Sequence, residues 1–232
     1  MKTRSRRYET NIKKIEKNSY LNLEEAIKTL KKTATAKFIE NTELHVSLNL
    51  ALKGRNESLR TMVTLPHTLN QSLKIAVLTD AANFELAKTS GASIIGDDDL
   101  IQKISNGYLD FNVLLATPSI MFKLVKLSRF LSSKGLMPSL KSGTIINPDK
   151  LADTIFEFKQ GKFEYKADKT GIIHVSFGKS NFSESQLLEN LRILYSSIEK
   201  NRPLGIKGKY FKSLHICTTM GPSLKLDLNA FI

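Results

Sequence analysis

The residues of this chain that could do chemistry are few and scattered. Four histidines, His45, His67, His174 and His215, lie far apart, and none has the spacing of a metal-ligand pair. The single cysteine, Cys217, stands two residues from His215 with no second cysteine. Strand alternation puts those two on one sheet face, where a core or sheet-surface role outweighs a nucleophile pair. Asp97, Asp98 and Asp99 are oxygen ligands of the kind Mg²⁺ takes. Their place before an apolar helical run reads first as a cap favoured by the helix dipole. No G-x-G-x-x-G follows a strand, and no phosphate loop of the G-x-x-x-x-G-K type occurs. No catalytic residue, metal site or cofactor is expected.

Three other stretches carry a different chemistry. TAKFIEN (35–41) places Lys37 and Phe38 between a helix and a strand. An exposed lysine beside an aromatic can meet a phosphate and pack on a sugar or base, and a core phenylalanine is the alternative. KGLMPSLKSGT (134–144) combines glycines, a proline and lysines, which suits either a loop near a phosphate backbone or a plain surface loop. TTMGPS (218–223) separates two strand-like runs, with Gly221 expected to supply the positive φ of a hairpin turn.

Charge supports a polyanionic partner. The 232 residues carry 35 Lys and Arg against 22 Asp and Glu, a net +13. Residues 1–67 hold 14 basic and 7 acidic residues, residues 157–232 hold 12 and 7, and residues 68–156 hold 9 and 8. The excess therefore belongs to the two ends, which points to one basic surface built from both. Hydrophobic residues, at 41%, suffice for a packed core. The lone cysteine excludes an internal disulfide. No apolar run approaches the ~18 residues of a membrane span, so no membrane partner is expected. The N-terminus is basic but lacks the apolar stretch of a secretory signal, and Glu9 and Glu16 argue against a transit peptide.

The elements that must position these residues fall into two patterns. In the middle, LKIAVLT (73–79), ASII (92–95) and FNVLLAT (111–117) read as buried strands alternating with helices. The helices are expected at about 80–90, from the aspartates to Gly107, and from Thr117-Pro118 to about Leu131. This order implies a parallel sheet covered by helices. At the ends, Asn22 with Glu25 resembles a capping box, and Leu44, Val46, Leu48 and Leu50 alternate onto one face of a strand. RTMVTLP (60–66), KFEYKA (162–167) and IIHVSFG (172–178) are further strands, the last two joined by the turn Asp168–Gly171. Ser183 and Gln186 form a second capping box, with Phe182 at the staple position, before a helix whose Leu187, Leu191, Leu194 and Ile198 share a face. The expected fold is an α+β first domain with an antiparallel sheet made from both chain ends, 1–67 plus 157–232. An inserted α/β, Rossmann-like second domain spans 68–156.

Together, ATAKFIE (34–40), LRTMVTLPH (59–67), KGLMPSLKSGT (134–144), DKTGIIH (168–174) and TTMGPS (218–223) resemble the bacterial-type large-subunit ribosomal protein L1 family, in order and spacing. The short N-terminus and the Lys/Asn/Phe-rich composition resemble an algal plastid-encoded member, with a bacterial cytoplasmic protein as the alternative. The resemblance implies direct binding of large-subunit ribosomal RNA by the first domain. It implies a place in the mobile stalk that moves with exit-site tRNA, among other large-subunit proteins. For bacterial members it also implies repression of translation through their own mRNA. The RNA-contact positions it implies are Lys37, Phe38 and Glu40, then Lys169, Thr170 and His174, then Thr219, Met220 and Gly221. Alternation puts Thr219, not Thr218, on the face with Cys217. The chain departs from the family pattern at Ser132-Ser133-Lys134-Gly135, at Ser139-Leu140-Lys141 and at Thr68, all in or beside the inserted domain. The rival reading is a nucleotide-binding α/β enzyme that uses the middle domain.

Overall fold

The structure, a computed structural model, describes residues 5–15, 20–49, 59–69, 73–203 and 208–228. In chain order the elements begin with α1 (Arg6–Lys13), α2 (Leu23–Thr33), β1 (Asn41–Leu48) and β2 (Arg60–Thr64). Next come β3 (Ile75–Leu78), α3 (Phe84–Thr89), β4 (Ile94–Gly96), α4 (Asp98–Ser105) and β5 (Val113–Ala116). Then follow α5 (Met121–Leu124), α6 (Ser128–Ser133) and α7 (Leu151–Lys159). The chain ends with β6 (Lys162–Lys166), β7 (Ile172–Lys179), α8 (Glu184–Lys200), β8 (Phe211–Thr218) and β9 (Leu224–Leu226). Residue contacts divide it into two compact units, Met1–Leu69 with Tyr165–Ile232, and Asn70–Glu164. Helix α7 packs with α3 in the middle unit.

The unit made from both ends is built on an antiparallel sheet of order β7-β1-β8-β9. Alternation along β1 buries Leu44, Val46 and Leu48, while Leu50 lies outside the described residues. The same face buries Ile173, Val175 and Phe177 of β7, Leu214 and Ile216 of β8, and Leu224 and Leu226 of β9. Helices α2 and α8 cover it with Ala26, Ile27 and Leu30, and with Leu187, Leu191, Leu194 and Ile198. Each fully buried leucine or isoleucine contributes about 2 kcal/mol. The α8 capping box forms, with Ser183 Oγ accepting from Gln186 N–H at 3.2 Å and Gln186 Oε1 from Ser183 N–H at 3.0 Å. The expected box on α2 does not. Asn22 is the N-cap by backbone only, with no side-chain bond. Buried Asn190 of α8 ties down the Leu-Pro-His motif, donating to the carbonyls of His67 (3.0 Å) and Phe177 (2.8 Å) and accepting from His67 N–H (3.2 Å). β2 and β6 form a separate two-stranded sheet.

The middle unit holds a parallel sheet of order β4-β3-β5. All four residues of β3 are buried, as a strand covered on both faces requires. Ala76, Leu78, Leu114 and Ala116 pack with Leu100 and Ile104 of α4 and with Ile120, Leu124 and Leu131. Two helix starts differ from expectation. The helix expected from Pro118 to Leu131 is interrupted by a 3-10 turn at Val125–Leu127, and nothing in those three residues explains the break. Thr117 does not cap it, since its hydroxyl pairs with Ser119 Oγ at 3.1 Å. Asp97 occupies the N-cap of α4 without a side-chain cap bond. Its carboxylate lies 3.2 Å from Lys123 Nζ instead, with Asp98 at 2.7 Å, because an ammonium competes successfully for it.

Candidate nucleic-acid interface

At one end of the four-stranded sheet, a buried carboxylate draws three loops together. Glu40 is 1% exposed. One oxygen accepts the Ala36 N–H at 3.0 Å, and the other accepts the Met220 N–H at 2.9 Å. Its own N–H donates to Ser180 Oγ at 3.2 Å, and its carbonyl accepts the Ser180 N–H at 2.8 Å. Thr219 completes the tie. Its N–H donates to the Asn41 carbonyl at 3.0 Å, and its hydroxyl accepts the Asn41 N–H at 3.1 Å. A carboxylate satisfied by backbone donors fixes a loop better than a flexible ion pair, because each bond is charge-assisted and buried.

The clamp leaves a specific set of side chains outside. Lys37 is exposed, Phe38 is 55% exposed, Ile39 59% and Met220 49%. Among the described residues Lys37 and Lys169 make no ion pair. Thr218 is buried and Thr219 exposed, as alternation requires. Gly221 differs from expectation, since its φ is not positive. The turn closes by Gly221 N–H to the Thr218 carbonyl at 3.0 Å, and a Cβ at Gly221 would lie 2.3 Å from Thr218 Oγ1. Glycine is needed there for space inside the protein.

The open face of the sheet carries a row of four basic residues, one per strand. Strand register sets His174 of β7 opposite His45 of β1, His45 opposite His215 of β8, and His215 opposite Lys225 of β9. His45 and His174 meet through their Nδ1 atoms at 2.8 Å, so only one of the two carries a proton there. Burial, then the nearby His174, lowers the pKa of His45, against a smaller upward pull from Glu43. Burial, then Lys225 and His45, lowers that of His215. These two rings are therefore neutral at physiological pH and serve as hydrogen-bonding groups. Burial pushes the Cys217 thiol up to about 11, which removes it from nucleophilic chemistry.

Lys169 and Thr170 sit at the other end of β7, in the exposed turn that Asp168 organises. Asp168 Oδ1 accepts the N–H groups of Thr170 (2.9 Å) and Ile172 (2.8 Å) and the Thr170 hydroxyl (2.7 Å). Those bonds, the Ile172 one foremost, hold its pKa below the usual carboxylate value. Gly171 closes the turn at φ +79°, which favours glycine. The structure thus brings Lys37, Phe38 and Glu40 together with Thr219, Met220 and Gly221. Lys169 and Thr170 stand apart from them, with His174 on the face between. Sequence reasoning did not single out Glu43 or Lys225, and it treated His45 and His215 only as scattered histidines. Alternation marks the face each occupies, but only strand order makes them neighbours.

In the middle unit a cleft of about 680 Å³ lies beyond the carboxyl end of β4. Asp97, Asp98 and Asp99 line it with Lys103, Phe84 and Tyr108. Lys134 and Lys141 of the KGLMPSLKSGT loop are exposed elsewhere on that unit, and Ser139 and Thr144 brace the loop through Ser139 N–H to Thr144 Oγ1 at 2.9 Å.

A sequence profile of the Ribosomal protein L1p/L10e family matches residues 30–222. The chain belongs to the ribosomal protein L1 family. This is a family of ribosomal proteins, not of enzymes. Among curated relatives, the large ribosomal subunit protein uL1c of Trieres chinensis is 58% identical over the full length of both chains. The uL1c of Phaeodactylum tricornutum is 57% identical over 98% of each. The uL1 of Prochlorococcus marinus strain MIT 9515 is 47% identical over 99% of this chain and 97% of that protein. The family match spans the clamp, both turns and the three histidines of the basic row, and ends before Lys225. No described helix is long and apolar enough to cross a membrane.

Proposed function

We propose that this chain is a structural protein of the large ribosomal subunit of a plastid and binds large-subunit ribosomal RNA directly. The observation that carries the reading is the Glu40 clamp, which sets Lys37 and Phe38 beside the Met220–Gly221 turn on the sheet that unites the two basic chain ends. Lys37 and Lys169 neutralise phosphates, which supplies salt-dependent affinity. Phe38 and Met220 offer apolar surface to a splayed base or sugar, and His174 and Thr170 offer hydrogen bonds to 2′-hydroxyls and base edges. Thr219 and Gly221 set the shape of the turn. Glu40 acts from behind, positioning the loops rather than touching the polyanion.

In this reading the unit from both ends is the RNA-binding domain, and the middle unit is an inserted Rossmann-like domain. The role of the whole chain in the mobile stalk is to follow exit-site tRNA. The same RNA surface would recognise a similar structure in the protein's own mRNA and repress its translation. The decisive experiment pairs co-sedimentation of the full chain with large ribosomal subunits and filter binding to large-subunit RNA against an unrelated RNA. Stoichiometric co-sedimentation and selective, salt-sensitive binding are expected. Equal affinity for both RNAs would overturn the assignment of a specific site.

A further inference from the structure

Three side chains with metal-binding atoms converge on the open face of the four-stranded sheet. Glu43 and His45 stand two apart on β1 and so project to the same side. Cys217 of β8 is the cross-strand partner of Glu43. His45 Nε2 lies 3.1 Å from Cys217 Sγ and 3.7 Å from Glu43 Oε2, and one ligand atom from each residue lies within 4.8 Å of the others. A tetrahedral zinc ion with bonds of about 2.0–2.3 Å holds its ligand atoms about 3.4–3.6 Å apart. Both measured edges are within about half an ångström of that range. All three side chains are partly exposed, so an ion can reach them from solvent.

The surroundings fit a ligand role as well. A metal-bound histidine generally donates its other ring N–H to an acceptor, which fixes the tautomer. His45 has such a partner in His174, Nδ1 to Nδ1 at 2.8 Å, which leaves His45 Nε2 facing Glu43 and Cys217. Thiolate, imidazole and carboxylate together suit Zn²⁺ better than Mg²⁺ or Ca²⁺, which take oxygen ligands. We propose that Glu43, His45 and Cys217 form a Zn²⁺ site, with His174 as a positioning residue and water in the fourth place. On binding, the Zn–S bond forms as the Cys217 S–H bond breaks, and its proton leaves to solvent. The site does not depend on RNA binding.

The test is calorimetric titration of the full-length, tag-free, reduced chain with ZnCl₂, paired with Co²⁺ as a spectroscopic probe. One equivalent of Zn²⁺ should bind, and Co²⁺ should give a thiolate charge-transfer band. Cys217→Ser should abolish that band, and Cys217→Ser and Glu43→Gln should each weaken Zn²⁺ binding at least about tenfold. His174→Phe should weaken it by a similar factor, while His67→Ala leaves it unchanged. Thermal melts establish that each variant is folded. Zn²⁺ affinity that survives Cys217→Ser and Glu43→Gln in folded protein, or that is lost in His67→Ala instead, would overturn the proposal. So would a folded wild-type chain that takes up no Zn²⁺ and gives no Co²⁺ band.

Discussion

Glu40 and Asp97 are both acidic residues beside the end of a strand, in opposite surroundings. Glu40 is buried under the α2–β1 loop, its charge spent on backbone N–H groups, and the surface above it presents Lys37, Phe38 and Met220. Asp97, Asp98 and Asp99 line an open cleft, and the first two meet one ammonium, Lys123. In the first region negative charge is inside and positive charge outside. In the second the carboxylates face the space a ligand would fill. A phosphate group is attracted to the first and, without a bridging cation, repelled by the carboxylates of the second.

The sharpest way to break this contrast is to exchange the two acids for alanine. Glu40→Ala leaves the buried N–H groups of Ala36 and Met220 without acceptors and should cost about 3 kcal/mol in urea unfolding. It should also loosen RNA binding in filter assays. Asp97→Ala should change neither measurably. A Glu40→Ala protein with unaltered RNA affinity would remove the clamp from the mechanism. Next in size is Gly221→Ala, where the new Cβ meets the Thr218 side chain. A loss of about 1–3 kcal/mol in stability is expected. Thr218→Ala should restore much of it, because the Thr218 hydroxyl is buried with no hydrogen-bond partner. Failure of that rescue would mean the turn is constrained by something other than this contact.

Phe38→Ala tests the apolar half of the surface. It should weaken RNA binding by about 1–3 kcal/mol, as for a lost stacking partner. The melting temperature should hold, since Phe38 is largely exposed. Lys37→Ala should weaken binding by about 1 kcal/mol on all RNAs and lower the salt slope by about one. The smallest effect belongs to Asp168. Its folded pKa is depressed, so its contribution is present above the ordinary carboxylate pKa and fades as pH falls through the folded value. Asp168→Ala should therefore flatten the acid limb of a stability–pH curve slightly and leave the neutral region less stable. An unchanged acid limb would show that the turn does not depend on that carboxylate.

Much of this architecture is legible in the sequence. The α8 capping box is local, fixed by Ser183 and Gln186 three residues apart. The alternation of Leu44, Val46 and Leu48 announced a half-buried strand because side-chain period follows directly from strand geometry. The caps of α2 and α4 depart from the local expectation for a physical reason. Asn and Asp at a helix start offer a cap, but a nearby ammonium or the loop's own path decides whether it forms. Gly221 is ambiguous in the same way, since crowding by Thr218 and a positive φ both require glycine and leave the same letter in the sequence.

By itself, then, the sequence determined where charge concentrates, which strands are two-faced and which continuous, and which exposed loops hold lysine beside an apolar side chain. These follow from composition and from periods of a few residues. Only the tertiary structure decided that Glu40 belongs beneath Met220, 180 residues away, and that β1 lies between β7 and β8. Both depend on strand order, and register between distant segments is set by packing the whole apolar face at once. The row from His174 to Lys225 and the Glu43–His45–Cys217 cluster exist for that reason alone.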